Sequence, residues 1–290
     1  MLNKISVNAY AKINLYLDVV SKRSDGYHNI ESVMQSVSLC DRVTVTLDTD
    51  AAGQKITQDF GESDLPCDET NLCYKAAKAY LDYFEIRDFV IHISVEKNIP
   101  HAAGLAGGSS DAAAVIKALD RLYDKNTDIE VLKEIGLKVG SDVPYCIEGG
   151  TCRVCGRGET VSKLSPLDGF YVVISKSEKE SVSTKEAYSR IDLKKESDSK
   201  TSFEDYVCAV NEKDNDVIAS GVYNIFQSVM SDTLSDTSKI IESMKKDGAR
   251  AALMSGSGPS VFGLFESREV AEIAARNLSK SYFAEVCTLV

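Results

Sequence analysis

An alternating apolar run, Phe89, Ile91, Ile93 and Val95, is followed by Gly104-Leu105-Ala106-Gly107-Gly108-Ser109-Ser110, and then by an apolar stripe at Ala112, Val115, Ile116, Leu119 and Leu122. A period of two predicts a strand and a period near 3.6 predicts a helix. The chain must therefore carry a glycine-rich loop from a strand into a helix that starts near Gly108–Ser110. Glycines let main-chain amides approach an anion with no Cβ in the way. The helix start adds unpaired N–H donors and a partial positive charge. Ser109 and Ser110 add hydroxyls suited to phosphate oxygens or Mg²⁺. The loop matches neither G-x-x-x-x-G-K-[ST] nor G-x-G-x-x-G. A small-residue connection with serine as the helix N-cap fits the same letters.

The rest of the chain frames this loop. With 290 residues there is enough length for one large domain or two modest ones. A net charge of −11 disfavours nucleic acid, whose phosphates would be repelled. No apolar run is long enough to cross a bilayer, and Lys4, Asn8, Lys12 and Asn14 interrupt any secretory leader, so a cytoplasmic location is expected. Cys73, Cys146, Cys208 and Cys287 fall in apolar or helical patterns and read as buried free thiols. Cys152 and Cys155 form a lone C-x-x-C. A zinc or thiol-redox site there lacks further ligands nearby, so two ordinary strand cysteines are expected.

Periodicity gives the remaining elements. Two extended segments lie within 4–20, and Asp25-Gly26 marks a turn that leaves Tyr27 and His28 near a surface. A helix is expected at about 71–85. Thr127 and Glu130 read as a capping box, and Ser141-Asp142-Val143-Pro144 opens a short helical turn. Strands are expected at 151–155 and 170–175, with a texture change afterwards that includes the polar stretch 194–199. Domains 1–160 and 161–290 follow from that change. Two amphipathic helices are expected near 215–230 and 235–246. The tail then reads strand, Met254–Pro259 turn, strand, helix and strand, half of a ferredoxin-like unit.

Asp142 at a helix start is where an aspartate is stabilised in any case. Lys12 between extended stretches would be unremarkable on an edge. Together they could serve a hydroxyl: the carboxylate takes its proton, and the ammonium keeps the carboxylate ionised and steadies the alkoxide. Spacing along the chain does not show that they converge. The Met254–Pro259 turn could offer amides to an anion, or could simply need glycine at positive φ. His92 and His101 read as an ordinary strand residue and an ordinary loop residue.

Taken together, the segments resemble the GHMP kinase superfamily. The matching blocks are 9–19 continuing through Arg23–His28 to Glu31–Met34, the run Pro100–Ala114, Gly140–Pro144, and Leu253–Phe262. The resemblance implies an α+β two-domain fold, with a ribosomal protein S5 domain 2-like N-terminal domain that binds ATP and a ferredoxin-like C-terminal domain. It implies ATP phosphates along Pro100, His101, Ala102, Ala103, Gly104, Leu105, Ala106, Gly107, Gly108, Ser109 and Ser110, with Asn71 and Lys97 on the adenine side and Mg²⁺ as the accompanying ion. Lys12 and Asp142 would be the catalytic pair and Asn14 would lie near the acceptor. Tyr27 and Tyr188 would sandwich a cytosine ring whose polar edge His28 reads. The implied acceptor is a cytidine diphosphate-linked methylerythritol, phosphorylated on its 2-hydroxyl by a monomer or homodimer. Ala102, Ala103 and Ala106 stand where some relatives have glycine, which suits backbone at negative φ. Other members of the superfamily, of homoserine or mevalonate type, and a catalytically silent metabolite-binding protein are the alternatives.

Overall fold

The computed structural model describes residues 3–48, 52–193 and 197–290, so residues 194–196 of the polar stretch lie outside the described residues. In chain order the strands are β1 (Lys4–Lys22), β2 (His28–Leu47), β3 (Gln54–Asp59), β4 (Phe89–Glu96), β5 (Thr151–Gly156), β6 (Thr160–Lys163), β7 (Tyr171–Lys176), β8 (Tyr223–Asn224), β9 (Ala251–Met254), β10 (Val261–Phe265) and β11 (Phe283–Thr288). The helices are α1 (Leu72–Tyr83), α2 (Gly107–Leu122), α3 (Ile129–Leu137), α4 (Val143–Glu148), α5 (Thr184–Ser189), α6 (Phe203–Glu212), α7 (Asn215–Ser220), α8 (Ile225–Met230), α9 (Ser235–Lys246) and α10 (Arg268–Leu278). The chain divides into two compact units. The first holds residues up to Ala11, Leu39–Ile99 and Ala106–Gly149; the second holds Lys12–Ser38, Pro100–Leu105 and Gly150–Val290.

In the first unit β4 is the central strand. It pairs antiparallel with β2 from Arg42↔Glu96 to Leu47↔Ile91, and parallel with β3 from Gln54↔Phe89 to Asp59↔Ser94. The alternation in β4 buries Phe89, Ile91, Ile93 and Val95 on one face. Against that face pack Ala76, Tyr80 and Leu81 of α1 and Val115, Ile116 and Leu119 of α2, in one core that also takes Ile135 and Ile147. Alanines at 112, 113, 114 and 118 keep α2 thin enough for close packing.

The second unit carries an antiparallel sheet in the order β11-β7-β10-β9. Val173, Val261 and Phe265 of that sheet form a core with Ile240 and Met244 of α9 and with Ala271, Ala274 and Leu278 of α10. The expected β-turn-β-α-β tail is present. The same unit pairs Ile30–Gln35 of β2 with β5, and Tyr16–Leu17 of β1 with β8.

Several sequence expectations change. The two extended segments within 4–20 are one strand, β1, because Lys12 and Asn14 satisfy each other inside it at 2.7 Å. The single helix expected over 215–230 is broken at Gly221, where a Cβ would stand 2.9 Å from the Tyr206 ring and from the Val217 carbonyl; β8 separates α7 from α8. The N-cap of α3 is Asp128, whose carboxylate accepts from the Glu130 amide. Thr127 instead donates to Asp120 at 2.5 Å, so no capping box forms. Cys73 and Cys287 are buried thiols, but Cys146 is half-buried and Cys208 exposed.

Candidate active site

In the second unit Lys12 is 4% exposed, and its ammonium donates to Asn14 Oδ1 at 2.7 Å and to the Gly104 carbonyl at 2.9 Å. A buried charge needs such partners. Asn14 passes the constraint on, since its Nδ2 donates to Ser32 Oγ at 2.9 Å and Ser32 donates to the Tyr16 carbonyl at 2.7 Å. The Lys12 position is therefore fixed by a buried chain of groups on β1 and β2.

Gly104 itself is locked against the Met254–Pro259 turn. Its φ is +74°, and a Cβ there would fall 2.1 Å from the Ser255 carbonyl oxygen. Ser255 Oγ donates to the Gly104 carbonyl at 3.1 Å, and the Ser260 amide donates to the Ala103 carbonyl at 3.3 Å. Gly256, at φ +56°, is also tightly placed: a Cβ on it would stand 2.9 Å from the Gly104 carbonyl oxygen and 3.2 Å from Lys12 Nζ. Both glycines are required by close main-chain approach, so the turn and the loop segment Pro100–Leu105 form one interlocked piece. Lys176 adds to it by donating to the His101 carbonyl at 2.7 Å; burial depresses the pKa of that lysine.

Tyr27, His28 and Tyr188, the residues expected around a cytosine ring, also lie in this unit. Tyr27 is 49% exposed and carries the Arg157 guanidinium 5.0 Å from its ring centroid. The His28 ring stacks on Tyr188 at 4.9 Å, and Tyr188 meets Phe226 edge-on at 4.8 Å. Burial, with the Lys22 charge second, lowers the His28 pKa, so the imidazole is neutral at pH 7 and offers one donor and one acceptor. Asp25 fixes the turn by accepting from the Tyr27 amide at 3.1 Å.

In the first unit α2 opens at Gly107, one residue ahead of the expected Gly108–Ser110. Its N-cap is Ala106, at φ +57°, with no side-chain cap. Ala102 is also left-handed, at φ +49°, which corrects the expectation of negative φ at both alanines. A serine N-cap is absent as well. The amides of Gly107, Gly108 and Ser109 donate to no acceptor among the described residues, as an anion cradle requires. Ser110 Oγ is 2.7 Å from the Tyr10 carbonyl to which it donates, so its hydroxyl holds the helix in place. Ser109 Oγ makes no bond among the described residues.

Asp142 is the N-cap residue of α4, half-buried, yet its side chain caps nothing and has no partner among the described residues. Asn71 caps α1: Oδ1 accepts from the Cys73 amide at 2.9 Å and Nδ2 donates to the Pro66 carbonyl at 2.9 Å. Lys97 bonds the buried Asp41 and, at 2.6 Å, the buried Asp111. Sequence reasoning missed Asp41, Asp111, Ser32, Ser255, Lys176 and Arg157. Ser255 falls in the Met254–Pro259 turn and Asp111 in the run Pro100–Ala114, but only folding reveals what each of the six meets. Among the described residues no group of three or more His, Cys, Asp or Glu is placed to hold a metal, and no helix is long and apolar enough to cross a membrane.

The family model for the GHMP kinases N terminal domain matches residues 71–150, and that for the GHMP kinases C terminal matches 209–284. The chain is 41% identical over 278 residues to 4-diphosphocytidyl-2-C-methyl-D-erythritol kinase of Clostridium perfringens, covering 96% of this chain and 94% of the relative. It is 40% identical to the kinase of that name from Clostridium tetani, covering 96% and 97%. Among solved structures, a 4-(cytidine 5'-diphospho)-2C-methyl-D-erythritol kinase superposes with a TM-score of 0.79 at 30% identity, covering 98% of this chain and 99% of the other. A homoserine kinase from Cytophaga hutchinsonii superposes at 0.81 with 22% identity, covering 100% and 96%, a likeness of fold alone.

Proposed function

The chain belongs to the GHMP kinases, an α+β two-domain family of ATP-using enzymes, and from that membership we propose that it transfers the γ-phosphoryl group of ATP to the 2-hydroxyl of 4-diphosphocytidyl-2-C-methyl-D-erythritol, in the non-mevalonate route to isoprenoids. The observation that carries this reading is the likeness to kinases of that name at about 40% identity across nearly the whole chain. Residues 1–160 would form the ATP-binding domain and 161–290 the C-terminal domain of a cytoplasmic enzyme.

Phosphoryl transfer asks the protein for positioning and charge stabilisation more than for covalent chemistry. The unpaired amides at the head of α2 would receive phosphate oxygens. Asp142, whose carboxylate is uncommitted, would accept the proton of the acceptor hydroxyl. Lys12 would steady developing negative charge, and Asn14 and Gly104 hold its ammonium at a fixed place. Asn71 and Lys97 would bound the adenine side. Tyr27 and Tyr188 would take the faces of the cytosine ring and His28 its edge, with Arg157 moving aside from Tyr27. In that state the His28–Tyr188 stack seen here would open.

Mg²⁺ fits the donor set in a restricted way. Ser110 is committed to Tyr10, which leaves Ser109 as the loop hydroxyl open to the ion. An ion held mainly by phosphate oxygens and water suits such a sparse site, and when bound it would neutralise phosphate charge.

A thermal-shift series with cytidine diphosphate compounds, with and without a non-hydrolysable ATP analogue, tests the reading. Stabilisation by a cytidine diphosphate compound, rising further with the analogue, is expected by mass action. Stabilisation by the analogue alone would point to a different acceptor.

A further inference from the structure

Behind the Met254–Pro259 turn, wholly within the second unit, lies a cavity of about 450 Å³ that the proposed reaction does not use. Its size falls within the roughly 300–1,000 Å³ of small-molecule pockets. The floor is apolar and buried: Met230 of α8, Leu234, Ile241 of α9, and Leu253 and Met254 of β9. Two methionines give it a surface that adapts to more than one shape.

Two wall residues also hold the turn. Gln227 Oε1 accepts from the Met254 amide at 2.8 Å, while its amide nitrogen has no partner among the described residues. Asn224 Nδ2 donates to the Met254 carbonyl at 2.7 Å and to the Gly256 carbonyl at 2.8 Å. Gly256 is the residue packed against Lys12 Nζ, and Ser255 bonds Gly104. Whatever occupies the cavity therefore presses on the side chains that set the turn, and the turn sets the surroundings of Lys12.

The rim decides the ligand's charge. It carries Asp198, Glu242 and Lys245, a net charge of −1. Asp198 accepts from the Tyr223 hydroxyl at 2.9 Å, and neither Glu242 nor Lys245 forms an ion pair among the described residues. One added positive charge brings the rim to neutrality.

We propose that this cavity is a regulatory site for a small apolar amine, with its hydrocarbon on the Met230–Leu253 floor and its ammonium at the Asp198 and Glu242 rim, and that occupancy alters turnover through Gln227, Asn224 and the Met254–Pro259 turn. Where the amine changes the affinity for a phosphorylation substrate, linkage requires that substrate to change the amine's affinity by the same factor.

Phenethylamine and its uncharged counterpart 2-phenylethanol are the probes, titrated calorimetrically into the full chain. The amine is expected to bind about tenfold tighter than the alcohol, because two rim carboxylates each add a modest exposed-pair attraction. Glu242→Gln, an exposed change that leaves the floor intact, is expected to weaken the amine about threefold and leave the alcohol unchanged. Ser231→Trp, which fills the cavity, is expected to abolish binding of both. Saturating amine is expected to change turnover in the unaltered chain and in Glu242→Gln at matched occupancy, and to leave Ser231→Trp unaffected. No binding of the amine, equal affinity for amine and alcohol, or undiminished binding by a folded Ser231→Trp overturns the site. Binding without any change in turnover overturns its regulatory role. The binding arm is independent of which alcohol is phosphorylated; only the turnover arm rests on the reaction proposed above.

Discussion

The Lys12 ammonium donates to the main-chain carbonyl of Gly104 across 2.9 Å, joining residues 92 positions apart in sequence. That bond exists because Gly104 has no side chain: a Cβ would meet the Ser255 carbonyl at 2.1 Å, at a φ of +74°. Gly104→Ala is therefore expected to force the loop from the turn, to cost at least about 2 kcal/mol of stability from the left-handed backbone and the clash, and to lower kcat/KM by about 10²-fold. Chemical denaturation and steady-state kinetics check both effects. Near-normal stability and turnover would mean the interlock contributes neither.

Removing the charge is a separate matter. Lys12→Met keeps the bulk of the stem and deletes the ammonium. It is expected to lower kcat by about 10²-fold or more, with a smaller effect on KM, because the charge acts in the transition state. Asn14→Ala leaves the buried ammonium one acceptor short and is expected to destabilise the protein by about 1–3 kcal/mol. Urea titration reads that loss.

Much of this arrangement was legible in sequence. Alternation at 89–95 and the 3.6 period from Ala112 placed β4 and α2, and with them the glycine-rich loop between. Lys12, Gly104 and the Met254–Pro259 turn were each visible as candidates. Their meeting was not, because a hydrogen bond between positions 12 and 104 has no local signature. The same holds for Asp41, which accepts from the amides of Asn98 and Ile99 at 2.5 and 2.8 Å, 57 and 58 residues away. The break at Gly221 was missed because an apolar stripe continues on both sides of it. The capping box failed because a side chain outside the local window, Asp120, claimed the threonine.

The Lys97 cluster predicts a pH dependence. Burial, with Asp41 beside it, raises the Asp111 carboxyl to about 7 from an ordinary 3.8, against the pull of the Lys97 ammonium. Burial also opposes the Lys97 charge, but Asp111 and Asp41 outweigh it, so that ammonium persists. Between its ordinary and its folded pKa, Asp111 holds a proton in the folded protein that the unfolded chain has released. Stability from this group therefore falls as pH rises from about 4 to about 7 and is level above. Asp111→Asn, which cannot titrate, is expected to remove that part of the slope. Thermal denaturation at pH 5 and pH 7.5 decides it, and an unchanged slope would place the titration elsewhere.

Tyr27→Ala is expected to raise KM for a cytidine substrate by about 10-fold while lowering kcat less, in line with about 1–3 kcal/mol for base stacking on an aromatic ring. A substrate lacking the pyrimidine should feel no such loss. An unchanged KM in the variant would remove Tyr27 from the binding surface.

The most direct test of the central claim follows the phosphorus. ATP and 4-diphosphocytidyl-2-C-methyl-D-erythritol are incubated with the protein and with Asp142→Asn, and phosphorus NMR records the product, with homoserine and mevalonate as competing acceptors. The account predicts a new phosphomonoester on the 2-hydroxyl of the cytidine compound alone, formed at least about 10²-fold more slowly by Asp142→Asn. Preferential phosphorylation of homoserine or mevalonate, or full turnover by Asp142→Asn, would contradict it.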